Sequence, residues 1–277
     1  MSNTSENTVR TYRRVLSIAG SDSGGGAGVQ ADLKTFSALG CYGMTALTAL
    51  TAQNTQEVRD IHPVPSSFVL AQLEAVLDDI GVDAVKIGML FSAEVIHGVA
   101  SVLKARDIKN IVLDPVMVAQ SGDNLLEERA IGAMGQSLMP AADLITPNLP
   151  EAEVLLQQSI DNVEAMHQSA RELAAFGSRA VLLKGGHREE QESTDILYLR
   201  EEDRSVELSA EYILTRNNHG TGCTLSSAIA AHLARGLDME EAVRRGKEYI
   251  TQAIDAGAGY RLGHGHGPVH HFFKFWE

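Results

Sequence analysis

Apolar and polar positions alternate with two periods along this chain. Short, nearly continuous apolar runs at Arg14–Gly20, Ala84–Ile87, Ile111–Leu113, Asp143–Ile145 and Ala180–Leu183 predict buried strands. Between them apolar residues return every three or four positions, as at Val29, Leu33, Phe36 and Leu39, and again at Val69, Leu73, Val76, Leu77 and Ile80. That is the period of a helix with one buried face. Strands separated by helices need crossovers, so the pattern predicts an α/β fold with a mainly parallel central sheet and helices on both faces. Thr194–Thr215 breaks the alternation and reads as a solvent-exposed hairpin at the sheet edge. No Pro/Gly/Ser linker cuts the chain, so residues 14–277 are expected to form a single domain behind a frayed polar extension, residues 1–13. Ligands of such sheets sit beyond the carboxyl ends of the strands.

The candidate chemistry falls at those ends. Asn217–Cys223 (NNHGTGC) leads into a helical stripe of Leu225, Ile229 and Leu233, which puts Cys223 in the first turn of a helix. A helix start aims unpaired N–H groups and the positive end of its dipole at the preceding turn. With Gly220, Thr221 and Gly222 leaving that backbone uncovered, the segment is predicted to cradle an anion beside a thiol. The same field is expected to favour the Cys223 thiolate and make it a proton acceptor.

Gly20–Gly28 (GSDSGGGAG) is a glycine run that opens a helix, without the Gly-Lys-Ser/Thr of a P-loop. Asp32, about one helical turn beyond Gly28, is expected to reach back over that loop. The Gln53 amide offers a donor and an acceptor to the edge of a heteroaromatic ring, and Met89 a wall for its face. Asp114, with Asn148 and Glu151 three apart around Pro150, gathers two acids and an amide suited to Mg²⁺ held through waters. Lys184 ends a strand as a cation for phosphate oxygens. Each also has a plainer reading taken singly: connector glycines, a solvated Asp32, a turn residue at Gln53, a core Met89, a strand-end lysine.

Composition narrows the classes. A net charge of −13 without a basic patch argues against nucleic acid and anionic membranes as partners. A chain of 277 residues, 44% of them apolar, can bury a large core, and no apolar run is long enough to span a bilayer. The polar start lacks the apolar core of a signal peptide, and two cysteines in unlike contexts, Cys41 and Cys223, fit a reducing cytoplasm. The histidines of the GHGHGPVHH tail have no acidic or cysteine partner at ligand spacing.

In order along the chain, IAGSDSGGGAGVQADLKTFSALG, TAQNT, KIGML, ITPNLPEA, LKGGH, HGTGCTLS and GPVHHF resemble the hydroxymethylpyrimidine/phosphomethylpyrimidine kinases of thiamine biosynthesis, in the ribokinase-like superfamily. The match spans nearly everything beyond the polar start. The resemblance implies a three-layer ribokinase-like sandwich. It also implies ATP-dependent phosphorylation of 4-amino-5-hydroxymethyl-2-methylpyrimidine to its monophosphate and then to the diphosphate. By position it implies a pyrimidine pocket lined by Gly20, Ala27, Asp32, Gln53, Met89, Val116 and Cys223. Asn148 and Lys184 would meet ATP, Asp114 and Glu151 the Mg²⁺ that accompanies it, and Gly220–Cys223 would form the anion hole. A cytoplasmic homodimer is implied as well. Cys223 stands where the superfamily usually has a catalytic Asp, a departure shared with these kinases, and Asn218 stands where a Thr is common. Three other readings stay open: a pyridoxal or pyridoxine kinase, a ligand-binding regulator, and a cysteine hydrolase. For the last, His219 is too close in sequence to Cys223 to serve easily as an independently oriented base.

Overall fold

The apolar runs become strands of one sheet. A computed structural model describes residues 10–117, 128–189 and 192–276. The first half contains β1 (Arg14–Asp22), α1 (Gly28–Ala38), β2 (Tyr42–Gln53), β3 (Val58–Pro63), α2 (Ser66–Asp79), β4 (Ala84–Ile87), α3 (Ala93–Ala105) and β5 (Ile111–Leu113). The second contains α4 (Glu128–Ala133), β6 (Leu144–Ile145), α5 (Leu149–Leu156), α6 (Val163–Ala174), β7 (Ala180–Leu183), β8 (His187–Glu189), β9 (Glu192–Leu199), β10 (Arg204–Glu211), α7 (Thr221–Ala234) and α8 (Met239–Gly257). Across the sheet the order is β10-β9-β7-β6-β5-β4-β1-β2-β3, with β8 paired to β9. The strands from β7 to β2 are parallel, and the margins, β9 with β10 and β2 with β3, are antiparallel.

Alternate residues of the central strands face opposite layers. Leu16 and Ile18 of β1 and Val85 and Ile87 of β4 join the larger core, which also takes in apolar residues of α2, α3 and α6. Val15 and Ala84 face the smaller core, with Leu225, Ile229 and Leu233 of α7 and Val243 and Ile250 of α8. Ser17 and Lys86 lie on that second face and pair in register across β1 and β4. They are the polar exceptions in otherwise apolar strands, and they matter below.

One expectation needs correction, and two features lay beyond the pattern. The edge hairpin is exposed on one strand only: β10 forms the margin, whereas Ile196 and Leu197 of β9 are fully buried because β9 pairs with β7. The margin beyond β1 holds a second antiparallel pair, β2 with β3, that the period did not announce. β1 also runs two residues further than its apolar pattern, which carries it to Asp22. Of the expected extension, residues 1–9 lie outside the described residues.

Candidate active site

The carboxyl ends of β1, β2, β4, β5 and β7 and the start of α7 enclose a cavity of about 510 Å³. Gly20, Ala27, Gln53, Met89, Val116, Asp114, Asn148, Glu151, Lys184 and Gly220–Cys223 all line it. Of the residues singled out from sequence, Asp32 alone does not.

Gly220 caps α7 in the left-handed conformation, with φ of 80°, and a methyl group there would overlap the Gly26 carbonyl. Only glycine permits this approach, which seats the start of α7 directly on the glycine loop. Thr221 donates its hydroxyl to the Asn218 carbonyl at 2.7 Å, closing the turn. The amides of Gly220, Gly222 and Cys223 have no acceptor among the described residues, and they stand at the positive end of a helix of 14 residues. Such a group of donors receives an anion without rearrangement.

Cys223 departs from the expectation of a thiolate. Burial pushes its thiol up to about 11; Lys86 pulls the value back, Asp32 and Asp114 push it further up, and the Gly28 amide lowers it. Desolvation and two nearby carboxylates outweigh Lys86 and the Gly28 amide, so the thiol is protonated at neutral pH.

Asp32 is turned away from the cavity. Its carboxylate is fully buried and ion-paired to Lys86 at 2.9 Å, while Ser17 donates to it at 2.5 Å and Ser227 at 2.7 Å. The face of α1 that carries Asp32 packs on the sheet, where the registered pair Ser17 and Lys86 offers a donor and a charge. Burial alone would lower the Lys86 pKa, but Asp32 outweighs it and holds the ammonium charged. This ion pair forms the floor beneath Cys223, which lies one turn before Ser227 on α7.

At the phosphate end, Asp114 accepts from Lys184 at 3.0 Å, from Thr146 at 3.2 Å and from Ser226 at 3.3 Å. Burial opposes ionisation of Asp114, but Lys184 and then Lys86 keep its carboxyl below the usual range. Lys184 stays charged because Asp114 and Glu151 together outweigh its burial. The N-x-x-E segment turns out to be a capping box: Asn148 Oδ1 accepts the Glu151 amide and Glu151 Oε2 accepts the Asn148 amide, each at 2.8 Å. Burial pushes Glu151 up to about 7, with Lys184 opposing the shift and Asp114 adding to it. Among the described residues no group of three or more His, Cys, Asp or Glu gathers at metal-holding distance. Asp114 and Glu151 therefore do not form a protein cage for a cation. They fit a Mg²⁺ that arrives on phosphate oxygens and keeps its waters, as that ion commonly does.

Sequence reasoning missed the rim. Asp22, 3% exposed, accepts the amides of Gly24 at 2.7 Å, Gly26 at 3.0 Å and Ala27 at 2.9 Å, and pairs with His219 Nε2 at 2.9 Å. Burial would raise its pKa, but His219 and the amides overcome that and hold the carboxyl below its ordinary range. His219 is thus oriented from outside its own segment, contrary to the expectation drawn from its closeness to Cys223. The tail fixes it further: the His219 amide donates to the Gly267 carbonyl at 3.0 Å, and the Val269 amide to the His219 carbonyl at 3.3 Å. The same tail reaches the turn after Gln53, where the His266 amide donates to the Thr55 carbonyl at 2.8 Å. An aspartate just ahead of a glycine run was the available signal for Asp22.

A second cavity, of about 320 Å³, adjoins the first and shares Lys184, Asn218 and Thr221 with it; Tyr212, Ile213, Leu225 and Ile250 line its far side. Among the described residues no helix is long and apolar enough to cross a membrane.

The family model described as phosphomethylpyrimidine kinase matches residues 22–270. The hydroxymethylpyrimidine/phosphomethylpyrimidine kinase of Rhizobium meliloti (strain 1021) is 51% identical over 263 residues, 95% of this chain and 98% of that protein. The crystal structure of phosphomethylpyrimidine kinase from Clostridium difficile 630 aligns with a TM-score of 0.76 at 44% identity, covering 87% of this chain and 99% of that one. Pyridoxal kinase from Staphylococcus aureus in complex with AMP-PCP and pyridoxal aligns with a TM-score of 0.85 at 36% identity, covering 95% and 94%. The fold is ribokinase-like.

Proposed function

The chain belongs to the phosphomethylpyrimidine kinase family, and from that premise we propose how two adjoining cavities divide the work. The protein is an ATP-using kinase that phosphorylates 4-amino-5-hydroxymethyl-2-methylpyrimidine to its monophosphate and then to the diphosphate. The larger cavity takes the pyrimidine, with the Gln53 amide at the ring edge and Met89 against the ring face. The adjoining cavity takes the nucleotide, and its apolar wall of Ile213, Leu225 and Ile250 suits a purine. The observation that carries this reading is the shared wall: Lys184 and Thr221 border both cavities, so phosphoryl donor and acceptor meet at the start of α7.

Phosphoryl transfer concentrates charge on three equatorial oxygens, and catalysis consists mainly of positioning and charge stabilisation. The Gly220, Gly222 and Cys223 amides and the Lys184 ammonium supply that stabilisation. Gly222 lies beside Lys184 Nζ, where an added methyl would stand 3.4 Å from it, so the two kinds of donor converge. Mg²⁺ carried with ATP, near Asp114 and Glu151, would neutralise the phosphate chain. Cys223 contributes a neutral thiol, which does not repel the monophosphate in the second reaction. Two free cysteines accord with a cytoplasmic site of action. The open margin of β10 offers surface for a homodimer, which sedimentation checks directly.

The test is ATP turnover with hydroxymethylpyrimidine, its monophosphate and pyridoxal in parallel, for the wild type and Lys184→Met. Turnover of both pyrimidines, lowered by about 10²-fold or more in the variant, is expected. Turnover of pyridoxal alone would move the activity to vitamin B6 salvage and remove the two-step reading.

A further inference from the structure

We propose that His219 is the general base for phosphorylation of the hydroxymethyl group and that Asp22 is the residue that positions it. The inference rests on the two-step reading above.

The protonation pattern follows from geometry. Asp22 already accepts three backbone amides, and an ionised carboxylate can only accept. The 2.9 Å contact with His219 Nε2 therefore places a hydrogen on Nε2. In the neutral imidazole the lone pair then lies on Nδ1, which has no hydrogen-bond partner among the described residues. Asp22 holds the ring, and the main chain that carries it is fixed because the His219 amide and carbonyl are both bonded to the tail. A methyl at Gly26 would overlap the imidazole, which shows how closely the glycine loop holds it.

Its position suits the task. His219 lines the cavity between the Gln53 amide, whose nitrogen is 3.5 Å from Nε2, and the anion turn that begins at Gly220. In the substrate the hydroxymethyl carbon is bonded to the ring, so the reacting oxygen must lie between ring edge and anion turn. Cys223, the other candidate base, is protonated at neutral pH.

The two reactions make different demands. In the first, the hydroxymethyl oxygen forms a bond to the γ-phosphorus and the bond from phosphorus to the ADP oxygen breaks, its electron pair leaving with ADP. The hydroxyl proton passes to His219 Nδ1 and then to solvent. In the second, the attacking atom is an oxygen of the monophosphate that is already ionised, so no proton need be removed. Only the first step requires a base.

The experiment measures both steps separately for the wild type, His219→Gln and His219→Ala. Glutamine keeps an N–H for Asp22 and removes the imidazole lone pair. General-base catalysis is worth roughly 10²–10⁴-fold, so first-step kcat is expected to fall about 100-fold in both variants. In His219→Gln the second step should stay within about threefold of wild type, and the acidic limb of the first-step pH profile should flatten. Retention of the first step in His219→Gln, or equal loss of both steps, would reduce His219 to a latch and overturn the proposal. A wild type that phosphorylates neither pyrimidine would bring down the two-step reading itself, a different result from either.

Discussion

The floor and the rim of the cavity each hold an aspartate paired with a basic side chain, at 2.9 Å in both cases. At the floor, Asp32 and Lys86 are fully buried, and Ser17 and Ser227 take up the remaining capacity of the carboxylate. At the rim, Asp22 is equally used up, but the His219 side chain is 14% exposed and keeps one ring nitrogen uncommitted. Lys86 borders the cavity, but Asp32 holds its ammonium charged, so the pair acts on stability and on the field felt by Cys223. A pair with an open nitrogen can take part in proton transfer. The difference between structural and chemical roles is thus a matter of what each partner has left to offer, since both pairs are buried at the acid and formed between distant segments.

The comparison breaks most readily at the floor. Lys86→Met leaves Asp32 ionised and unpaired in the interior, and a loss of about 3–5 kcal/mol in unfolding free energy is expected from denaturant titration. Lys86→Met combined with Asp32→Leu should recover most of it, because no lone charge remains. A single variant losing under about 1 kcal/mol would show that water reaches the pair.

Other histidines sharpen the contrast with His219. His271 is held at about 3, by burial first and then by Lys34, His270 and His219; His232 is held at about 4, by burial and then by Arg235 and Arg245. Both values lie below the ordinary 6.5, so the unfolded chain binds more protons than the folded one below that pH. The stability is therefore fully present above pH 6.5 and declines as pH falls toward 4 and 3. Between pH 6.5 and 5 the two sites together should remove about 3 kcal/mol, read as a falling denaturation midpoint. Glu151, pushed up to about 7, works the other way in the same window, so the decline is read in Glu151→Gln; flat stability there would mean that neither histidine is sealed. A smaller effect is expected at Cys223. Cys223→Asp sets a carboxylate beside the anion turn, which should slow the second phosphorylation about tenfold more than the first, or about 1.4 kcal/mol. Equal losses would remove the electrostatic account of the thiol.

Local pattern was legible from the chain, and long-range pairing was not. β4 and β7 begin and end where their apolar runs do, because a fully buried parallel strand leaves an unbroken run of apolar side chains. The anion turn was legible because glycine spacing and a helical stripe are both local. Asp32 was misplaced for an equally local reason: helical spacing brings it near Gly28, but spacing does not tell which face of α1 packs on the sheet. The lysine inside the apolar run Ala84–Ile87 was the trace of its partner. Asp22 and His219 lie 197 positions apart, and nothing in either segment names the other. Exposure of the hairpin was overread because charge at Glu201–Arg204 marks the turn, whereas β9 is covered by its neighbours.

Asn148 stands between the two cases and offers the finest test. Its Oδ1 is committed to the helix cap, as the floor carboxylate is to its lysine. Its side-chain N–H₂ has no acceptor among the described residues and lines the cavity, like the open nitrogen at the rim. Asn148→Ala removes both halves, so a loss of about 1 kcal/mol in stability should accompany a higher KM for ATP. Asn148→Asp keeps a capping oxygen and discards the donor, leaving stability within about 0.5 kcal/mol of wild type. If that donor meets a phosphate oxygen, the new carboxylate should still raise the KM for ATP several-fold. An unchanged KM beside an intact cap would place Asn148 with the floor, as a residue whose whole capacity goes to the fold.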